Sequence, residues 1–312
     1  LELLPGRVFT LKTGPVYLKN GLERSLEKIT SFPQAGFFEA LLFGDEDNIP
    51  DLWKDKLNRS GVRHIVAVSG TNLTILSGLV LEFFLLLGLW RQQAFWVTLV
   101  FMAFYVVMIG APACAVRAAV MGGLLLTATY CGRVPDEERL ALLTLCAMLF
   151  VSPLLVFDLG FKLSFLAFLG LIYLSPLLSR FFRKVPEVFA VRESLVTTLS
   201  AQLFVLPLLL FSFERVSLAA PFANILILPF VPFLTISAFI AALAGLVHTG
   251  LGVLFILPAY LALTVLIKII DFWAGLRWAE VFFRPPFWTG VLFYALLFVV
   301  VLKSRSQRYP NA

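Results

Sequence analysis

Apolar residues follow two different rhythms along this chain. In the first sixty positions they recur every third or fourth residue. Leu18, Leu22, Leu26 and Ile29 alternate with Glu23, Arg24, Glu27 and Lys28, one apolar stripe on a charged helix. That helix is too short and too charged to cross a bilayer. It suits either a small helical cap packed on a larger body or a helix lying in the membrane interface. Two further short helices are expected. One runs from Phe37 to Phe43 and ends at Gly44; the other runs from Pro50 to Ser60, with Pro50 and Asp51 in its first turn and Gly61 closing it.

From Val62 to Leu302 the rhythm gives way to long apolar runs, and a membrane span needs about 20 of them in succession. Candidate spans cover 62–89, 94–111, 113–131, 139–157, 160–179, 193–213, 217–247, 251–270 and 288–302. The run 217–247 is long for one helix and carries Pro221, Pro229 and Pro232, so a broken or re-entrant segment near 217–232 is expected before a full span. The stretch 268–284 mixes Lys268, Asp271, Arg277 and Glu280 with Trp273, Trp278 and Phe282, the mixture of a membrane boundary. The pattern predicts an all-α, polytopic transmembrane helical bundle of about 8–10 spans. Residues 1–61 form an amphipathic, interfacial helical region, 62–302 the transmembrane domain, and 303–312 a basic tail.

Composition removes the main competitors. The 312 residues are 60% hydrophobic and 14% charged, with a mean hydropathy of +0.93. A soluble domain carries about 25% charged residues, so a soluble enzyme and a disordered tail are both set aside. The net charge of +6 resides in alternate loops: Arg91; Arg133 and Arg139; Arg180, Arg183, Lys184 and Arg192; then Lys303, Arg305 and Arg308. The positive-inside bias places these in the cytoplasm and the N-terminal region outside. Cys114, Cys131 and Cys146 show no metal or disulfide spacing. With His64 and His248 the only histidines, neither a metal site nor a cofactor is expected. The chain starts at Leu1 without a Met or a cleavable leader, which reads as part of a longer protein.

Polar residues inside the spans carry the functional argument, because a charge at mid-bilayer costs about 2.5–3.5 kcal/mol on insertion scales. His64, Ser69, Thr71, Asn72 and Thr74 crowd the start of the first span. Arg117 follows Pro112, Asp158 and Lys162 are four apart, and Ser194, Thr198 and Gln202 form an i, i+4 stripe; Asn224 lies between Pro221 and Pro229. Each has a plain alternative. Asp158 and Lys162 suit an interfacial ion pair, Arg117 a snorkelling or helix-end role, and the hydroxyls and amides helix–helix glue. Their recurrence in at least five spans points instead to a shared wet path.

Four segments, in order, resemble the ComEC competence protein family: GVRHIVAVSG at 61–70, PACAVRAAVMGG at 112–123, FDLGFKLSFLAFLGLI at 157–172, and AQLFVLP at 201–207 followed by PFANILILPFVP at 221–232. The resemblance extends from about Phe37 to Val247. It implies a multi-pass channel in the bacterial inner membrane that admits one strand of transforming DNA to the cytoplasm. His64, Ser69, Gly70, Arg117, Asp158, Ser164, Gln202, Pro207, Asn224 and Pro229 fall on the family's motifs. There are departures: Thr71-Asn72-Leu73 stands where many members have Leu-His-Val, Lys162 where Gln is common, and Cys114 where an aliphatic residue or Pro is usual.

A strand with one phosphate charge per nucleotide needs a hydrated groove with cations and neutral donors. The expected lining is His64, Ser69, Gly70, Asn72, Arg117, Asp158, Lys162, Ser164, Gln202 and Asn224, with helix breaks at Pro207, Pro221 and Pro229. Many family members also carry an OB-like domain and a metallo-β-lactamase-like nuclease. No H-x-H-x-D-H run occurs here, so this chain is expected to have no enzyme activity. Expected partners are single-stranded DNA and the bilayer, with a DNA receptor, a separate nuclease and a cytosolic ATP-driven translocase implied by analogy, since the sequence has no P-loop. Two other readings stay open. One is an intramembrane serine hydrolase using Ser69 and His248; the other is an ion-coupled small-solute transporter with Asp158 as proton site.

Overall fold

A computed structural model describes residues 13–67, 70–184 and 191–308. Helices follow one another with few interruptions: α1 (Thr13–Ile29), α2 (Gln34–Phe43), α3 (Asp51–Ser60), α4 (Arg63–Val66), α5 (Gly70–Leu86), α6 (Arg91–Met108), α7 (Ala113–Tyr130), α8 (Glu137–Val151), α9 (Leu159–Tyr173), α10 (Ser175–Phe181), α11 (Val191–Phe213), α12 (Ala220–Ile227), α13 (Val231–Val247), α14 (Thr249–Gly275) and α15 (Phe287–Arg308). Two short strands, β1 (Arg215–Ser217) and β2 (Glu280–Phe282), pair antiparallel with Val216 opposite Val281.

Local chemistry sets the boundaries. Gly44 and Gly61, at φ 71° and 74°, close α2 and α3 in the left-handed region that side chains avoid. The Asp136 carboxylate accepts from the Glu138 and Arg139 amides to start α8. Pro153 lacks the amide that would extend α8, and a 3-10 turn, Pro153–Phe157, follows. Pro176 acts similarly at the 48° bend between α9 and α10.

Five helices are long and apolar enough to cross a membrane: Arg91–Met108, Ala113–Tyr130, Val191–Phe213, Ala220–Val247 and Thr249–Gly275; the bent α9–α10 pair makes six. The expected 62–89 span divides into α4 and the 17-residue α5. The 139–157 span becomes the 15-residue α8 plus its 3-10 turn. Where a broken or re-entrant segment is expected near 217–232, β1 is followed by α12, with Pro221 in its first turn, and a 3-10 turn at Leu228–Phe230 around Pro229 leads into α13, Ala220–Val247 forming one span. The break expected at Pro207 does not occur: α11 runs through it for 23 residues, because a buried Pro forfeits one backbone bond while packed neighbours hold the helix.

Contacts divide the chain into two compact units. The first comprises the described parts of Leu1–Ile49, Val66–Pro135 and Phe233–Leu261. Here the α1 stripe packs on protein: Leu22, Leu26 and Ile29 are buried, and the Ser25 hydroxyl donates to Ala242 O at 2.9 Å. A Cβ at Gly245 would fall on Ser25 Oγ, and one at Gly252 would come within 2.9 Å of Ile29. Leu18, the first member of the expected stripe, is exposed, and the other three are covered by protein.

The second unit comprises the described parts of Pro50–Ile65, Asp136–Pro232 and Ala262–Ala312. α11, about 34 Å long at 1.5 Å per residue, is its axis. α9 presses on α11 where Gly170 meets the Ser200 carbonyl. α15 lies antiparallel to α11, with Gly290 against the Phe211 ring and Tyr294 Oη donating to Phe204 O at 3.1 Å. Arg180, Arg183, Lys184 and Arg192 therefore lie at the same end of the unit as the last turns of α15, which carry Lys303, Arg305 and Arg308. The β1–β2 ribbon and α3 lie at the opposite end, where Lys56 Nζ meets Asp271 Oδ1 at 2.6 Å.

Candidate functional site

In the first unit α5 comes close to α7 at Gly70, the first residue of α5. A Cβ there would lie 2.9 Å from Ala118 Cβ, 3.5 Å from Cys114 O and 3.6 Å from Arg117 Nη2. The absence of a side chain at Gly70 thus lets the start of α5 rest on α7 and brings the Arg117 guanidinium beside it. Arg117 is half-buried, and its Nη1 lies 3.9 Å from Met121 Sδ one turn on. A helix start and a guanidinium share one place, and both favour an anion. Ser69, the residue before, lies outside the described residues.

Asn72 has a different task. It is buried, and its Nδ2 donates to Leu41 O at 2.6 Å, while Tyr105 Oη donates to Leu42 O. Both carbonyls belong to the last turn of α2, whose backbone acceptors have no partners within the helix. α2 is half the length a span needs and nine of its ten residues are buried, so its buried end must be satisfied by side chains. Beside it, the Glu39 carboxyl is 1% exposed, with Oε2 accepting from Asn48 Nδ2 at 2.7 Å. Burial pushes its pKa above the ordinary glutamate value against the Asn48 bond, and Glu27, Glu23 and Asp45 push it the same way.

In the second unit, two of the motif segments converge on Ser217. Its Oγ donates to Arg59 O at 2.7 Å and accepts from Ala220 N at 3.1 Å, and its carbonyl accepts from Gln202 Nε2 at 2.9 Å. Gly61 faces the same point: a Cβ there would strike Ala220 Cβ and come within 2.8 Å of Ser217 Oγ. One turn along α11 from Gln202, Thr198 Oγ1 accepts from Asn224 Nδ2 at 3.3 Å, and both side chains are buried. The sequence reading missed Ser217 and Tyr105. Ser217 has a local signal, a hydroxyl three residues before the Ala220-Pro221 helix start; Tyr105 has none.

Asn72, Gln202 and Asn224 thus each donate one amide N–H to a protein acceptor. Their oxygens, Asn72 Oδ1, Gln202 Oε1 and Asn224 Oδ1, are buried without a donor. Asp158 is exposed, and its Oδ1 accepts from Phe161 N at 2.6 Å as the cap of α9. Lys162 and Ser164, on the first turns of α9, are half-buried. The Asp158–Lys162 ion pair does not form: the carboxylate turns to the α9 amide instead. His64 is exposed, and its Nδ1–H donates to Gly61 O at 3.1 Å, leaving Nε2 as the acceptor. His248 Nδ1 accepts from Gly250 N at 3.1 Å, so the neutral ring carries its proton on Nε2, the nitrogen a hydrolase would use as base. Among the described residues no group of three or more His, Cys, Asp or Glu could hold a metal ion.

A family model described as competence protein matches residues 41–307. The chain is 31% identical over 221 residues to "ComE operon protein 3" of Bacillus subtilis (strain 168), an alignment covering 70% of this chain and 27% of that relative. The chain thus spans about a quarter of that relative's length. No solved structure matches.

Proposed function

Since the chain belongs to the competence protein family, we propose that it passes one strand of transforming DNA through a bacterial inner membrane. The strand's phosphates need cations that neither sit exposed in lipid nor bind so tightly that movement stops. The observation that carries this reading is the Arg117 guanidinium beside the start of α5 at Gly70. A helix N-terminus and an arginine together favour one phosphodiester group, and Gly70 keeps the approach clear of a side chain.

In the second unit, taken by itself, Lys162 on α9 is proposed as a phosphate contact, with the Nε2 of His64 and the hydroxyl of Ser164 as neutral groups. Asn72, Gln202 and Asn224 take a different role. Their amide nitrogens donate to protein acceptors and their oxygens are buried, so they hold α2, β1 and α12 in place. Asp158 supports the path by fixing the start of α9. The positive-inside rule places the basic end of the second unit in the cytoplasm and the β1–β2 ribbon outside. Work to pull the strand comes, in this reading, from a cytosolic ATP-driven translocase.

Transformation with labelled DNA tests the proposal. Arg117→Ala, at unchanged protein level in the membrane, should lower internalised DNA by about ten- to a hundredfold, the scale of one lost charged hydrogen bond, with Arg117→Lys in between. Wild-type uptake by Arg117→Ala would overturn the assignment.

A further inference from the structure

The ribbon end of the second unit holds a group of aromatic rings set among charges. Phe222 and Trp273 stack at 5.6 Å with planes 14° apart, and Trp278 stands edge-on to both, at 6.3 and 6.1 Å. Phe272 adds a fourth ring, edge-on to Trp273 at 5.5 Å. Covalent neighbours fix the group: Leu218 and Ala219 donate to Ala279 O at 2.9 and 3.3 Å, tying the start of α12 to the turn that carries Trp278. Trp273 is half-buried inside the group, whereas Phe222, Trp278 and Phe272 are 49%, 47% and 64% exposed.

Charged side chains surround these rings. Asp271 pairs with Lys56 at 2.6 Å and Glu280 with Arg215 at 3.6 Å, and Arg59 Nη2 donates to Leu276 O at 3.4 Å. Asp55 is exposed nearby on α3. Arg277 is exposed between Trp273 and Trp278 in sequence and makes no ion pair among the described residues. Two carboxylates are thus neutralised, while an arginine is left to face an external anion.

We infer that this surface binds single-stranded nucleic acid, with Trp278, Phe272 and Phe222 stacking on unpaired bases and Arg277 meeting the backbone phosphate. The inference rests on the proposed function and deepens it by placing the strand's first contact at the ribbon end. Unpaired bases expose flat faces that exposed rings can cover, and every base has such a face, so the contact tolerates any sequence. Duplex DNA keeps its faces stacked inside and gains only the arginine. Tryptophans also line membrane boundaries, and Phe282 and Trp288, 72% and 73% exposed, fit that use. The ring group differs from them in carrying paired carboxylates and an arginine around its rim, which belong in water.

The test uses full-length protein in lipid nanodiscs and a fluorescein-labelled 15-mer of deoxythymidine. Trp278→Ala should weaken binding about five- to a hundredfold, the range found for losing one stacked base. Trp278→Phe should restore most of it, Arg277→Ala should weaken binding and flatten its salt dependence, and a duplex of equal length should bind alike to wild type, Trp278→Ala and Trp278→Phe. A variant keeping only Trp278, its five other tryptophans replaced by Phe, should be quenched by the oligonucleotide and not by brominated phosphatidylcholine. Unchanged binding by Trp278→Ala, or quenching by the brominated lipid alone, would make the surface a membrane boundary and overturn the inference, leaving the proposed function standing. Wild-type protein that binds no oligonucleotide would remove both.

Discussion

Gly61 shows how much one position can fix. Its φ of 74° closes α3, and the space where its side chain would stand is taken by Ala220 and Ser217. Gly61→Ala should therefore lower the stability of the protein by about 2 kcal/mol or more, from backbone strain and overlap together. Gly78→Ala, in α5 with nothing within 4 Å of its added carbon, should instead gain about 0.5–1 kcal/mol. Thermal unfolding of the two variants in nanodiscs measures the contrast, and equal melting temperatures would contradict it. Glu39 makes a second prediction at this scale. Its folded pKa is raised, so the folded protein binds that proton more tightly than the unfolded chain. The contribution to stability is complete below the ordinary glutamate pKa and is lost as pH rises through the folded value. Glu39→Gln should remove that decline and leave the protein more stable than wild type at neutral pH; an unchanged pH profile would show that Glu39 titrates normally.

Single residues also mark where sequence reading stops. Gly44 and Gly61 were legible because only glycine readily ends a helix in the left-handed region. Asn72 and Gln202 were legible as polar groups inside apolar runs, and both suggested lining. Their donors go to Leu41 O and Ser217 O, 31 and 15 residues away. No local pattern announces which distant carbonyl lacks a partner.

Among whole elements, α1 is the instructive case. The stripe Leu22, Leu26 and Ile29 told which face is apolar, and it left two covers possible, lipid or protein. The answer lies in Gly245 and Gly252, far along the chain, whose missing side chains make the seat for Ser25 and Ile29. Gly245→Leu should unseat α1 and speed trypsin cleavage at Lys19, Arg24 or Lys28 by severalfold, while sparing the spans. Cleavage at the wild-type rate would mean that α1 is held some other way. The prolines teach a similar lesson. Pro153, Pro176 and Pro229 each coincide with a break or a tight turn, whereas Pro207 sits inside an unbroken α11. The ring alone fixes a dihedral angle and removes a donor; packing on the helix decides whether a bend follows.

For the molecule as a whole, hydropathy was enough to give an all-α membrane protein, since 60% hydrophobic residues leave a folded chain no soluble solution. The division into two units was not legible, because each draws on three separate stretches of chain and no composition shift marks where the contacts change hands. The order of the four motif segments likewise identified the family, but not that two of them meet at Ser217. The central claim is that Arg117, beside the start of α5, faces water and the moving strand. Cysteine accessibility tests it most directly: Arg117→Cys, in full-length protein lacking the three native cysteines, is treated in competent cells with a water-soluble thiol reagent, with and without transforming DNA. Rapid labelling that falls severalfold while DNA is being taken up is the predicted result. No labelling, or labelling indifferent to DNA, would contradict the account.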